Sequence, residues 1–202
     1  MKVLLIGSHP SALQITPHRD RLSFYYGEVY SINNAWKLLE GIPHRWLHSL
    51  DFNVLATICP TDADRQIFKE EVTNFQGSPK WYNFPGNGTM LLNGLYHIFN
   101  KHLPEGLSEI HVLGNDLDYI HGGTTHFYGG GKMTDETRRM LSNTQFAGKA
   151  ADPFRYGIKP LIEALAAVKE DFAPVHVYSL SDNPHQMLPF RRLELTKAFS
   201  EG

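Results

Sequence analysis

Four short clusters of small polar residues each follow an apolar run, and they hold most of the chain's candidates for chemistry. They are Gly7-Ser8-His9-Pro10-Ser11, Asn33-Asn34, Gly114-Asn115-Asp116 and Ser181-Asp182-Asn183. Glycine lets a backbone approach a ligand closely, and serine and asparagine add neutral donors and acceptors. A further turn, Gly86-Asn87-Gly88-Thr89, precedes a helical stretch whose first amides can hold a phosphate. Any one of these turns is explained as well by capping or by positive φ. Their joint occurrence points to a nucleotide site. Gly7-Ser-His-Pro-Ser11 is neither G-x-G-x-x-G nor a Walker A sequence, which disfavours a simple hydride-transfer or P-loop enzyme.

Histidine is abundant, with 11 residues. His44 and His48 have the i, i+4 spacing that shares one helical face, but Arg45 stands where a zincin needs its glutamate. Pro43 and the interleaved aromatics favour an ordinary surface or packing segment there. His9, His18, His97, His102, His111 and His185 have no ligand-like partner nearby in sequence. His121 and His126 differ, because they lie in a glycine- and aromatic-rich stretch at 118–131 whose length suits an active-site loop. A histidine there can take a proton from an acceptor hydroxyl. Tyr119 and Tyr128 can donate to phosphate oxygens as a leaving group gains charge. Packing of His126 between Phe127 and Tyr128 is the plainer alternative.

The elements that position these residues follow from periodicity. Lys2–Ile6, Glu28–Ile32, Val54–Ile58, Glu109–Leu113 and Val175–Ser179 are apolar runs expected as strands. Helices are expected at 35–39, at 62–74 after the Thr61 cap, and at 90–102, where Leu91, Leu95, Ile98 and Phe99 share a face. A short helix at 134–141 and a longer one from Pro160 to Glu170 follow, and the chain closes in a polar tail. Strands alternating with helices predict an α/β fold with a mainly parallel sheet and helices on both faces. In such a sheet the polar clusters converge on the edge formed by the strands' carboxyl ends.

A length of 202 residues predicts one domain, 1–202. A hydrophobic fraction of 42% supports a substantial core rather than disorder. A net charge of −2 gives no basic excess, which argues against a nucleic-acid partner. The single Cys59 excludes an intramolecular disulfide framework. There is no apolar run of membrane-span length and no signal-like segment, so the expectation is a cytoplasmic protein.

Taken in order, these clusters resemble the bacterial lipooligosaccharide sialyltransferase family and its relatives. Those relatives include flagellin-modification glycosyltransferase-like proteins, phage homologues and 6-hydroxymethylpterin diphosphokinase-like proteins. Ile6-Gly-Ser-His-Pro-Ser11 is similar to the family's N-terminal turn, Ser31-Ile-Asn33-Asn-Ala35 to its second-strand asparagine, and Asn87-Gly88 to the pair before its central helix. Glu109 to Asp116 resembles its Gly-x-Asp strand, Thr125-His126-Phe-Tyr128-Gly129 its catalytic-base segment, and Val177 to Asn183 its closing strand.

The resemblance implies a single Rossmann-like domain and a metal-independent site for a CMP- or UDP-sugar, with a glycan or small-molecule acceptor. Gly7, Ser8, Ser11, Asn33, Asn87, Gly88, Ser181 and Asn183 would line the nucleotide. Asp116 would organise the site, His126 would be the general base, and Tyr119 or Tyr128 would meet the departing phosphate. Homo-oligomers are common among such relatives. The sequence departs from the family at His9, where a second glycine is usual, and at Asp118, where the sialyltransferases carry a tyrosine. One alternative is an ATP-dependent diphosphokinase, which would enlist Mg²⁺ and the Asp116–Asp118 pair. Another is a non-catalytic nucleotide-binding or host-interaction module.

Overall fold

The computed structural model describes residues 1–47, 90–118 and 158–200. Six parallel strands form one sheet: β1 (Lys2–Ile6), β2 (Glu28–Ile32), β3 (Arg45–Leu47), β4 (Glu109–Leu113), β5 (His176–Ser179) and β6 (Arg191–Arg192). Their order across the sheet is β3-β2-β1-β4-β5-β6. β1 therefore lies between β2 and β4, pairing Leu4 with Val29 on one side and with His111 on the other. The chain fills the sheet outward from β1 in one direction and then, from β4, in the other.

The alternation within each strand divides two apolar cores. Val3, Leu5, Tyr30, Ile110 and Val112 face one side, together with α2 (Met90–His102) and α3 (Ile158–Asp171). Leu91, Leu95 and Ile98 are buried there with Phe99 packed beside them, as the 3.6-residue spacing requires. Phe99 stacks on Phe172 at 4.2 Å, and the Tyr96 hydroxyl donates to Asp171 at 2.6 Å, which ties α2 to the end of α3. Leu4, Ile6 and Leu113 face the opposite side, against the 3₁₀ segments Pro10–Arg21 and Asn33–Leu39, α1 (Leu22–Tyr25) and α4 (Leu195–Ala198). Helical segments thus cover both faces, and the fold is α/β with a parallel sheet.

β1, β2 and β4 occupy the expected residues, and the helices expected at 90–102 and 160–170 are present. The segment from His44, expected only as a surface or packing stretch, contains the strand β3 at the end of the described sheet. Three residues give too short an alternation to register. The strand is held partly by side chains, since Arg45 donates to Glu28 from both Nε and Nη2 at 3.1 and 3.2 Å. His44 enters this extended run and donates from Nδ1 to the Ile42 carbonyl at 2.7 Å, so no helix begins there to carry a His44–His48 face. The supposed polar tail likewise contains β6 and α4, because Leu193, Leu195, Ala198 and Phe199 pack on the second core. Val54–Ile58, the 62–74 helix, the 134–141 helix, His48 and the 119–131 part of the expected loop lie outside the described residues.

One polar chain runs through the second core. His111 has no solvent exposure; Tyr26 O–H lies 2.9 Å from its Nδ1, and its Nε2 lies 2.9 Å from Glu109. A neutral ring satisfies both contacts, accepting from Tyr26 and donating to Glu109. Burial, partly opposed by Glu109, holds the ring's pKa below the usual imidazole value. The unfolded chain therefore takes up this proton first, and the contribution to stability falls as pH drops below about 6.5. His111→Gln can keep both hydrogen bonds without titrating. Urea unfolding at about pH 7.5 and about pH 5.5 is expected to show a smaller acid loss in this variant than in the parent.

Candidate functional site

The backbones leaving β1 and β4 touch. Gly7 N–H donates to Leu113 O at 2.8 Å, and His9 N–H donates to Gly114 O at 2.9 Å. A β carbon on Gly7 would fall 2.2 Å from Gly114 O and 2.3 Å from Asn115 Oδ1. One on Gly114, whose φ is +72°, would fall 2.6 Å from Gly7 O. Both glycines are thus required by the crossing of two turns, whatever else binds there.

Immediately beyond the crossing lies Asp116, with no solvent exposure. Ser11 Oγ donates to its Oδ1 at 2.9 Å, and Ser181 Oγ donates to its Oδ2 at 2.7 Å. His9 Nδ1 lies 3.2 Å from the same Oδ2. The ends of β1, β4 and β5 therefore meet on one carboxylate. Burial pushes its pKa up, but the hydrogen bond and charge of His9, with donors from Ser181 and Asn183, outweigh burial and hold it below the ordinary carboxylate value. Leu117 follows with φ +58°, a left-handed conformation unusual for a bulky residue. Its buried side chain in the first core and the Met187 N–H bond to Asp116 O at 2.9 Å fix that turn.

A second layer of hydrogen bonds surrounds the first. Asn183 Nδ2 donates to Asp118 at 3.3 Å, while its Oδ1 accepts from His185 N at 3.0 Å. Gln14 Nε2 donates to Asp182 at 2.6 Å, linking the 3₁₀ segment after β1 to the β5 turn. Arg192 on β6 donates to Asn183 O at 2.8 Å.

Gly7, Ser8, Ser11, Asp116, Ser181 and Asn183 are accordingly gathered at one edge of the sheet, and Asn33 follows β2 at the same edge. Ser11 and Ser181 use their hydroxyls to hold Asp116, so both also have a positioning role. Asn87, Gly88, Tyr119, His126 and Tyr128 lie outside the described residues. Sequence reasoning placed His9 in the first polar cluster and as a departure from the family, but gave it no partner. Convergence of the β1 and β4 ends was expected, but which side chains would meet there depends on how the two turns cross. Among the described residues no group of three or more His, Cys, Asp or Glu is arranged to hold a metal ion. No family model, curated protein or solved structure matches the chain.

Removing the central carboxylate strands two hydroxyls and the imidazole. Asp116→Ala is expected to cost about 3–5 kcal/mol in urea unfolding at neutral pH. The depressed pKa also fixes a sign: the carboxylate's contribution is complete above about pH 4 and is lost as pH falls through the folded value. Asp116→Asn should therefore show a shallower loss of stability than the parent in an acid titration below that point.

Proposed function

We propose that the chain is a glycosyltransferase-like enzyme built on a single Rossmann-like domain, taking a CMP- or UDP-activated sugar at the carboxyl edge of its sheet. The observation that carries this reading is the joining of the β1, β4 and β5 polar turns where the strand order reverses between β1 and β4. Open parallel sheets bind ligands at such a reversal, outside the carboxyl ends of the strands. On this proposal Asp116 organises the site, and His126 accepts the proton of an acceptor hydroxyl. That oxygen attacks the sugar carbon, and the bond to phosphate breaks with its electron pair on the phosphate oxygen, opposite Tyr119 or Tyr128. The acceptor is a glycan or small molecule.

The donor set favours this over the Mg²⁺-dependent diphosphokinase. Both oxygens of Asp116 already accept hydrogen bonds, and His9 crowds Oδ2. Asp116 is thus engaged with protein donors rather than presented with Asp118 as a pair for a cation.

Thermal unfolding with CMP, UDP, GDP, ATP and their sugar conjugates, each with EDTA or Mg²⁺, tests the proposal. A ligand at 100 times its Kd should add about 2.7 kcal/mol of stability. The expected result is a shift with CMP or UDP compounds that survives EDTA. His126→Ala should keep that shift and lose donor turnover. A shift confined to ATP with Mg²⁺ would replace the transferase by the kinase, and silence throughout would leave a non-catalytic module.

A further inference from the structure

We propose that His9 is the residue that meets the nucleotide's phosphate, with Nδ1 held against Asp116 and Nε2–H donated to a phosphate oxygen. This rests on the nucleotide reading of the crevice and adds to it the group that recognises the anion.

Most backbone donors on the β1 turn already have partners. Phosphates are commonly held by free amides on the turn after a first strand and at the helix start that follows it. Here Gly7 N–H and His9 N–H donate to Leu113 and Gly114, and Ala12 N–H donates to His9 O. Pro10 has no N–H, and Ser11 N–H donates to His9 Nδ1 at 3.2 Å while that nitrogen carries no proton. The hydroxyls of Ser11 and Ser181 are engaged by Asp116. The amides of Gly7, His9 and Ala12 are thus committed within the protein, and His9 offers an exposed ring nitrogen at this turn to an anion. Its side chain keeps 22% exposure, and its Nε2 bonds to none of the described residues.

Behind the ring lies Asp116. A buried carboxylate 3.2 Å from Nδ1 balances positive charge on the imidazole, and a ring protonated at both nitrogens donates inward to Asp116 and outward from Nε2. With Nδ1 unprotonated, the ring instead caps Ser11 N–H. Binding of a phosphate at Nε2 thus favours the ring protonated at both nitrogens. Among the described residues, the other ionisable groups around this edge are Asp118, Asp182 and His185 on the β4 and β5 turns and Arg192 on β6. Asp118 and Asp182 each accept from a neutral amide, of Asn183 and Gln14 respectively, and His185 is the other imidazole that a control must remove.

The test is calorimetric titration of the full chain with CMP and cytidine, UMP and uridine, and inorganic pyrophosphate, at about pH 6.5 and about pH 8. His9→Asn is the informative variant, because asparagine can still cap Ser11 N–H but takes up no proton. His185→Gln is the control, and circular dichroism confirms folding of both. The parent is expected to prefer nucleotide over nucleoside by about tenfold or more, and His9→Asn by less than about threefold. Only the parent and His185→Gln should gain preference at the lower pH. Comparing variants at equal pH cancels the phosphate's own ionisation. An unchanged preference in His9→Asn overturns the inference. If neither nucleotides nor nucleosides bind the parent, the nucleotide reading fails and pyrophosphate decides the role of His9. Binding lost in His9→Asn then sustains that role, and binding that is unaffected or absent in both overturns it.

Discussion

A carboxylate removed from water needs donors on every side, and Asp116 obtains them from strands far apart in sequence. Ser11, His9 and Ser181 converge on it from the ends of β1 and β5. Burying such a charge without partners would cost several kcal/mol. The native placement of any one of these turns therefore depends on the other two. That mutual requirement makes the carboxyl edge of the sheet a defined surface rather than a set of independent loops, which is what a binding site needs from its scaffold.

The geometry around the carboxylate is tight for a second reason. Gly7 and Gly114 let the β1 and β4 turns cross within hydrogen-bond distance, and the left-handed Leu117 then redirects the chain. A bulky residue in that conformation costs on the order of 1–3 kcal/mol and persists only where its surroundings determine it. Here the surroundings are the first core, which takes the Leu117 side chain, and Met187, which bonds the preceding carbonyl. Strain and charge burial thus occur in adjacent residues of one turn.

The parts of this arrangement legible in the sequence were those with a strong local signal. Lys2–Ile6, Glu28–Ile32 and Glu109–Leu113 are continuous apolar runs, and each is a strand flanked by a partner on both sides. The helix at Met90–His102 showed its buried stripe directly. The edge strands did not show, because β3 depends on an Arg45–Glu28 pair and β6 consists of two exposed arginines. Convergence of the polar turns was readable from the fold class. The pairing of His9 with Asp116 was not, since it joins residues separated by more than half the chain and depends on how two turns cross.

Where a nucleotide contacts the protein is the most direct test of the Asp116-centred site. Titrating CMP and UDP into the isotopically labelled chain and following backbone amide resonances would locate that contact residue by residue. The account predicts that the largest shifts fall on residues 7–11, 114–118 and 181–183, the turns joined through Asp116. Shifts confined to residues away from those turns, with the three turns unmoved at saturation, would contradict it.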